Sequence, residues 1–358
     1  MNAPDAGTSP GQRRLLAEVA EQPLVLARVL EHQRAALRDV ANAIRRRTPK
    51  VIVLVARGSS DNAAVYGRYL FEIRNRYVAS LAAPSAVTLY GSGPRLADAV
   101  VVGVSQSGQG EDVVEYVREA RAQGATTLAV VNDATSPLAR AAEWVLDCLA
   151  GPELSVPATK TVTAQMALLA CLSAMLADGD VAGARALAPL PGAIDRALAL
   201  RDVVRDLARA LAPVTLASVI GRGFAYPAAL EIALKLKETS YTRAEPFSAA
   251  DFLHGPVALV DPDYAALLVD VGGRSTRPAL ATAAEVHRRG GRPFLLRAGE
   301  IGSAAADTPG LALDIPVPEP YAPIVALVLG QLLAVELAGA RGLDPAGPRG
   351  LRKVTSTR

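Results

Sequence analysis

The sequence predicts an α/β protein of two tandem modules, each a mostly parallel sheet flanked by helices. Three observations lead there. Short apolar runs, VIVLVA (51–56), AVVVGV (99–104) and TTLAVVN (126–132), alternate with amphipathic helical stretches, the rhythm of a parallel sheet with crossover helices. The rhythm restarts in the second half, and each half opens with helix, strand and a glycine-bearing turn, VIVLVARGSS and VTLASVIGRG, as a duplicated module would. The 358 residues suffice for two domains at ~150 residues each.

In order, residues 1–11 read as disordered, within an arm over 1–20 that is disordered or helical. Gln12 to Arg47 is helical, with Pro23 starting a second helix. VIVLVA is a buried strand, followed by the turn RGSSDN and a helix through Tyr77. YVASLAA is the next strand and SAVTLY a short helix. AVVVGV, TTLAVVN and EWVLDCL are three further strands separated by helices. A helix from Lys160 to Leu176 closes the first module, placed at 21–190. Asp178 to Ala193, rich in Ala, Gly and Pro, reads as the linker, and Ile194 to Leu211 as one helix. The second module, 191–358, takes strands at VTLASVIGRG, YAALLVDV, PFLLRA and LALDIPV. Its helices are YPAALEIALKLKETS, Thr276 to Arg289 and Pro323 to Ala340, and it ends in the tail GLDPAGPRGLRKVTSTR.

Composition excludes several classes. Net charge is +3, from 38 basic and 35 acidic residues, which gives no electrostatic footprint for nucleic acid. Arg45-Arg46-Arg47, the one basic run, reads as a solvated helix end. No run of ~20 apolar residues without charge marks a membrane span, although mean hydropathy is +0.24. The first residues, MNAPDAGTSPGQRR, lack the apolar core of a signal peptide, so a cytoplasmic chain is expected. Cys148 and Cys171 lie in apolar surroundings with no metal-ligand spacing and are expected to be reduced core residues.

Four stretches could carry chemistry. VVGVSQSGQGED (101–112) reads as strand, hydroxyl-rich turn and helix start. Its serines, glycines and unpaired N–H groups form a site for an anion. With no Lys or Arg in that turn and Glu111 and Asp112 beside it, a monoester phosphate on a small molecule fits better than a triphosphate or a nucleic-acid backbone. The bland alternative is a βα loop in which Ser107 or Asp112 merely caps the helix. RGSSDN (57–62) lies at another strand's carboxyl end, where ligands of open α/β sheets gather, so the two turns could converge on one phosphate. LSVPATKTVTAQ (154–165) enters a helix with Thr159 or Thr161 as a possible ligand hydroxyl; otherwise Thr159 is a cap and Lys160 faces solvent. In LEIALKLKETSY (230–241), Glu231, Lys235 and Glu238 share one helical face. That face is a surface salt-bridged stripe by default, or a stripe whose last carboxylate serves as a general base. His254, in DFLHGP (251–256), is either a structural loop residue or a proton shuttle.

These pieces together resemble the sugar isomerase (SIS) domain family, in particular the isomerase half of glutamine–fructose-6-phosphate aminotransferase. The matching residues are GSS at 58–60, SQSG at 105–108, PATK at 157–160, GRG…YPAALEIALKLKETSY over 221–241, AEPFSAADFLHGP over 244–256 and PRGLRKVT over 348–355. The resemblance implies that the Gly58-Ser59-Ser60 turn and Ser105, Gln106 and Ser107 hold a sugar phosphate, helped by Ala158 and Thr159. It implies that Glu238 moves a proton between carbons 1 and 2, and that His254 assists ring opening, often at the neighbouring subunit's site. Lys235 would support the site and Lys353 would close over the substrate. No metal or organic cofactor is implied, and the partner is a second copy in a homodimer, with no nucleic acid and no membrane.

Two departures qualify the match. About 20 residues precede it and no cysteine follows Met1, so ammonia production from glutamine is not expected of this chain. Gly110 stands where the family pattern has a phosphate-binding Thr. Stand-alone relatives run amine chemistry in the releasing direction. The expected reaction is therefore glucosamine 6-phosphate plus water to fructose 6-phosphate plus ammonia. The alternatives are a non-catalytic sugar-phosphate sensor and a phosphosugar isomerase or fructosamine-phosphate deglycase.

Overall fold

The computed structural model describes residues 8–301 and 308–353. Three helices precede the first strand: α1 (Pro10–Ala20), α2 (Gln22–His32) and α3 (Arg34–Arg47). Ser9 caps α1 by accepting from the Gln12 N–H at 3.1 Å, and Pro10 takes the first helical position, where its missing N–H costs nothing. The expected disorder over 1–11 falls mostly outside the described residues; Pro10 and Gly11 are already helical.

Next come β1 (Val51–Val55), α4 (Ser59–Ile73), β2 (Val78–Leu81), α5 (Ser85–Thr88), β3 (Ala99–Ser105), α6 (Glu111–Ala122), β4 (Thr126–Val131), α7 (Pro137–Ala141), β5 (Trp144–Asp147) and α8 (Lys160–Asp178). The strands form one sheet in the order β2-β1-β3-β4-β5, and every neighbouring pair is parallel. Buried on both faces, β3 and β4 are continuous apolar runs. Val53, Val55, Val101, Tyr116, Val117 and Leu138 belong to one core cluster.

The second series is α9 (Asp180–Leu187), α10 (Leu190–Ala199), α11 (Arg201–Leu211), β6 (Leu216–Gly221), α12 (Ala225–Ser240), β7 (Arg243–Ser248), α13 (Ala249–Leu253), β8 (Ala265–Asp270), α14 (Thr276–Arg288), β9 (Arg292–Gly299), β10 (Gly310–Asp314) and α15 (Ala322–Ala340). Its sheet reads β7-β6-β8-β9-β10, again all parallel and in the same order as the first. Phe252, Tyr264, Leu268 and Val286 anchor its core.

Three expectations change. The linker over 178–193 is helical, because its small residues serve packing. A Cβ on Gly183 would come 2.9 Å from the Ala174 backbone, so only glycine lets α9 lie this close to α8. Pro189 and Pro191 sit at the start of α10, where proline is tolerated. The single helix over 194–211 is two, broken at Leu200 (φ −82°, ψ 8°). β7, RAEPFS, was not anticipated. It is an edge strand, where Pro246 needs no ladder partner on its open side.

Two compact units result. Among the described residues, the first holds Leu24–Glu153, Lys160–Ala188 and 352–353; the second holds 8–23, Leu154–Thr159 and those within Pro189–Leu351. α8 and α15 are long and apolar enough by composition to cross a membrane, yet 83% and 94% of those windows lie inside the protein, as core helices do. Cys148 and Cys171 are buried and unpaired, and burial pushes the Cys171 thiol up to about 12.

Candidate active site

In the first unit the strand order reverses between β1 and β3, so their outgoing crossovers leave in opposite directions and open a crevice at the carboxyl ends. Both predicted anion turns start there. Val55 of β1 pairs with Gly103 of β3, and each strand runs straight into its turn.

After β1, Gly58 takes φ +58° and occupies the N-cap of α4 without a side-chain cap. Ser59 and Ser60 therefore lie in the helix's first turn rather than capping it. Ser60 is buried and accepts from Gln165 Nε2 at 3.0 Å. After β3, Gly108 takes φ +63°, and a Cβ there would sit 2.1 Å from Ser136 Oγ. That tight turn brings Ser105 Oγ to accept from the Gly108 N–H (3.0 Å) and Ser107 Oγ from the Gln109 N–H (3.3 Å). The Gln106 carbonyl accepts from the Asn132 N–H at 3.2 Å. Gly110 is the N-cap of α6, so neither Ser107 nor Asp112 caps that helix.

The acidic residues beside the cradle are answered. Asp112 is almost fully buried and receives Arg57 Nε at 2.7 Å, so a guanidinium from the first turn offsets the carboxylate at the second. Burial pushes the Asp61 carboxyl up, with Arg57 opposing. A cleft of about 600 Å³ beside α6 is lined by Glu111, Asp112, Glu115 and Arg118 among others and by none of the serines. Its acidic lining does not suit a phosphate.

Lys353 lies in this unit, paired with Glu153 at 2.7 Å. The Glu153 side chain is fully buried and also accepts from the Thr161 N–H (3.1 Å) and hydroxyl (2.8 Å). Thr161 is thus committed to Glu153, and Lys160, which the capping alternative would turn to solvent, is 1% exposed.

In the second unit, Ala158 is half-buried and Thr159 buried. Their loop is tied down by Glu18, which accepts from the Leu154 and Ser155 N–H groups (2.6 and 3.1 Å), and by Gln331 Nε2, which donates to the Thr159 carbonyl at 3.2 Å. On α12, Glu231, Lys235 and Glu238 do share a face, but it is not a surface stripe. Glu231 and Lys235 are 1% exposed, with Lys235 Nζ 3.3 Å from Glu231 and hydrogen-bonded to Glu238. The amphipathic reading fails because α15 packs on α12 and covers that helix. Burial alone would lower the Lys235 pKa, yet the two carboxylates outweigh it and raise it, so the ammonium persists. Glu238 is the half-exposed member. His254, the residue that caps the C-terminus of α13, is exposed, between exposed Leu253 and Gly255.

The structure thus groups Gly58, Ser59, Ser60, Ser105, Gln106 and Ser107 at one switch point. It groups Lys235 with Glu238, and leaves His254 apart on its own turn. Sequence reasoning missed Arg57, Glu153 and Gln165 as members. Only Arg57 had a signal, its place in RGSSDN.

Paired hydroxyl-rich turns stand at the switch point of the first of two parallel sheets of like strand order, and the second unit holds a buried carboxylate–ammonium cluster. The SIS domain pattern matches residues 47–175 and 215–341, and the chain belongs to the SIS domain family. It is 34% identical over 354 residues to a glutamine–fructose-6-phosphate aminotransferase of Zymomonas mobilis, covering 94% of this chain and 57% of that protein. Among solved structures it is similar to the C-terminal domain of the glucosamine-fructose-6-phosphate aminotransferase of Francisella tularensis. That match has a TM-score of 0.85 and 26% identity, covering 97% of this chain and all of the other. A glucosamine-6-phosphate deaminase of Thermotoga maritima shares the fold, with TM-score 0.75 and 20% identity over 96% of this chain and all of that one.

Proposed function

We propose that the chain is a sugar-phosphate aldose–ketose isomerase whose substrate is an amino sugar, glucosamine 6-phosphate, released as fructose 6-phosphate and ammonia. The observation that carries this reading is the cradle of Ser60, Ser105 and Ser107 in the first unit; the second unit by itself holds a carboxylate, Glu238, hydrogen-bonded to the Lys235 ammonium. The cradle would fix the phosphate, and anchoring that end holds carbons 1 and 2 in place for proton transfer.

After ring opening, Glu238 takes the proton from carbon 2 and the electron pair moves toward the carbonyl, giving an enolamine. The proton returned to carbon 1 yields the ketimine. Water then adds at carbon 2, the C–N bond breaks, and the ketone and ammonia leave. Lys235, positive at neutral pH, donates to the Glu238 carboxylate and would orient it toward the proton it accepts. His254, exposed on its turn, would serve ring opening at the site of a second copy, and the homodimer belongs to this reading. Lys353 would leave Glu153 to reach the substrate.

Ammonia release from glucosamine 6-phosphate by the native chain tests this, beside Glu238→Gln. Expected is turnover that drops at least ~10³-fold in the variant with KM little changed. Conversion of the sugar phosphate without ammonia would reduce the reading to an isomerase. Binding without turnover would make the chain a sensor.

A further inference from the structure

We propose that Gln165 is a positioning residue: by donating to Ser60 Oγ, its side-chain amide fixes the Ser60 hydroxyl as a proton donor to the sugar phosphate. This rests on the reading of the cradle as a phosphate site. A serine hydroxyl carries one proton and two lone pairs, while a phosphate oxygen only accepts. A hydroxyl helps an anion when its proton is free and its lone pair is already used. Ser60 meets both conditions: it accepts from Gln165 Nε2 at 3.0 Å and, among the described residues, donates to no protein acceptor. Ser105 and Ser107 are polarised in the same sense, each accepting a backbone N–H. Each of the three hydroxyls thus accepts one hydrogen bond and, among the described residues, keeps its own proton unspent on a protein acceptor. Two are set by the main chain, which no side chain can change. The third is set by one residue of α8, itself 1% exposed and held in place by its burial.

Gln165→Glu reverses the polarity at constant shape. An ionised carboxylate only accepts, so the Ser60 proton turns to it and away from the ligand. Once protonated, the carboxyl donates to Ser60 as the amide did. Burial raises such a carboxyl's pKa, so the switch falls in an accessible range. Sulfate is the probe, because it keeps its double charge across roughly pH 5 to 8 while phosphate does not. The native chain controls for other ionisable groups on the same elements: Arg57, Asp61, Asp112, Glu153, Lys160 and Lys353.

Expected is sulfate binding by Gln165→Glu at least ~10-fold weaker than native at pH 8 and within ~3-fold of native at pH 5, with that pH dependence abolished by adding Ser60→Ala. Native-like binding at both pH values, or equal weakening at both in a folded variant, would overturn the inference. Should Gln165→Glu not fold at pH 8, Gln165→Met decides: a loss of ~3-fold or more is expected, and native affinity refutes. If sulfate binding depends on Ser105 and Ser107 but not on Gln165, the cradle stands and this inference falls. If the native chain binds neither sulfate nor sugar phosphate, the cradle reading falls with it.

Discussion

Lys235→Met should unfold the second unit far more readily than the loss of one surface charge would. Lys235 and Glu231 have side chains 2% and 1% exposed, with Nζ 3.3 Å from the carboxylate, and Glu238 lies on the other side at 18% exposure. At that distance and an effective dielectric near 20, one such pair attracts by about 5 kcal/mol, while each buried ion costs several kcal/mol to desolvate. The intact cluster therefore comes close to breaking even. Removing the ammonium keeps the cost and loses the attraction. Glu231 is left buried without that ammonium, a destabilisation of about 3–5 kcal/mol, or roughly 6–20 °C in Tm for a unit of this size. Lys235→Met with Glu231→Gln removes both charges and should recover more than half of it. Urea unfolding followed by circular dichroism measures both. A single variant within about 1 kcal/mol of native would refute the argument. The pH dependence carries its own sign. The folded pKa of Lys235 is raised above its ordinary 10.5, so its contribution is full below that value and fades as pH rises through the higher folded value. That alkaline loss should be missing from Lys235→Met.

Lys353→Met takes the ammonium away from the buried Glu153 and leaves its Thr161 bonds in place. The first unit should lose about 1–3 kcal/mol in urea unfolding, and Glu153→Gln with Lys353→Met should restore part of it. Gly330→Ala should lower Tm through a cost of about 1–3 kcal/mol. The added methyl would fall 2.2 Å from Ile232 Cγ1 where α15 crosses α12, and Ile232→Ala in the same chain should return most of the loss.

The central strands β3, β4 and β8 were legible because they are buried on both faces, and uninterrupted Val, Leu and Ala runs have few other uses. Helices that pack through small residues were not. α9 looks like a linker because close helix contact and flexible chain share the same Ala and Gly composition. β7 was invisible because an edge strand tolerates RAEPFS, with its charges and proline. At the site, the serines and Glu238 stood out through motifs. Their supports did not, since Gln165, Glu153 and Arg57 are separated in sequence from the groups they hold by 105, 8 and 55 residues respectively. Burial is the quantity that pattern reading misjudged most. Glu231 and Lys235 at helical spacing describe a solvated stripe equally well until a neighbouring helix covers them.

Duplication of the fold does not duplicate the cradle. Strand order places a turn after β8 in the second unit where the first has its turn after β3. There Glu319 accepts from the N–H groups of Arg274 (2.9 Å) and Ser275 (3.1 Å), and Gly273, at φ +60°, admits the carboxylate where a Cβ would stand 2.3 Å from it. Asp270 accepts from the Gly272 N–H and from the Ser275 and Thr276 hydroxyls, and is in turn paired with Arg297 at 3.0 Å. The donors that would meet an outside anion are spent on the chain's own carboxylates. In the first unit the corresponding serines accept N–H bonds and keep their protons. Topology makes the position available twice, and the polarity of a few side chains sets the two copies apart.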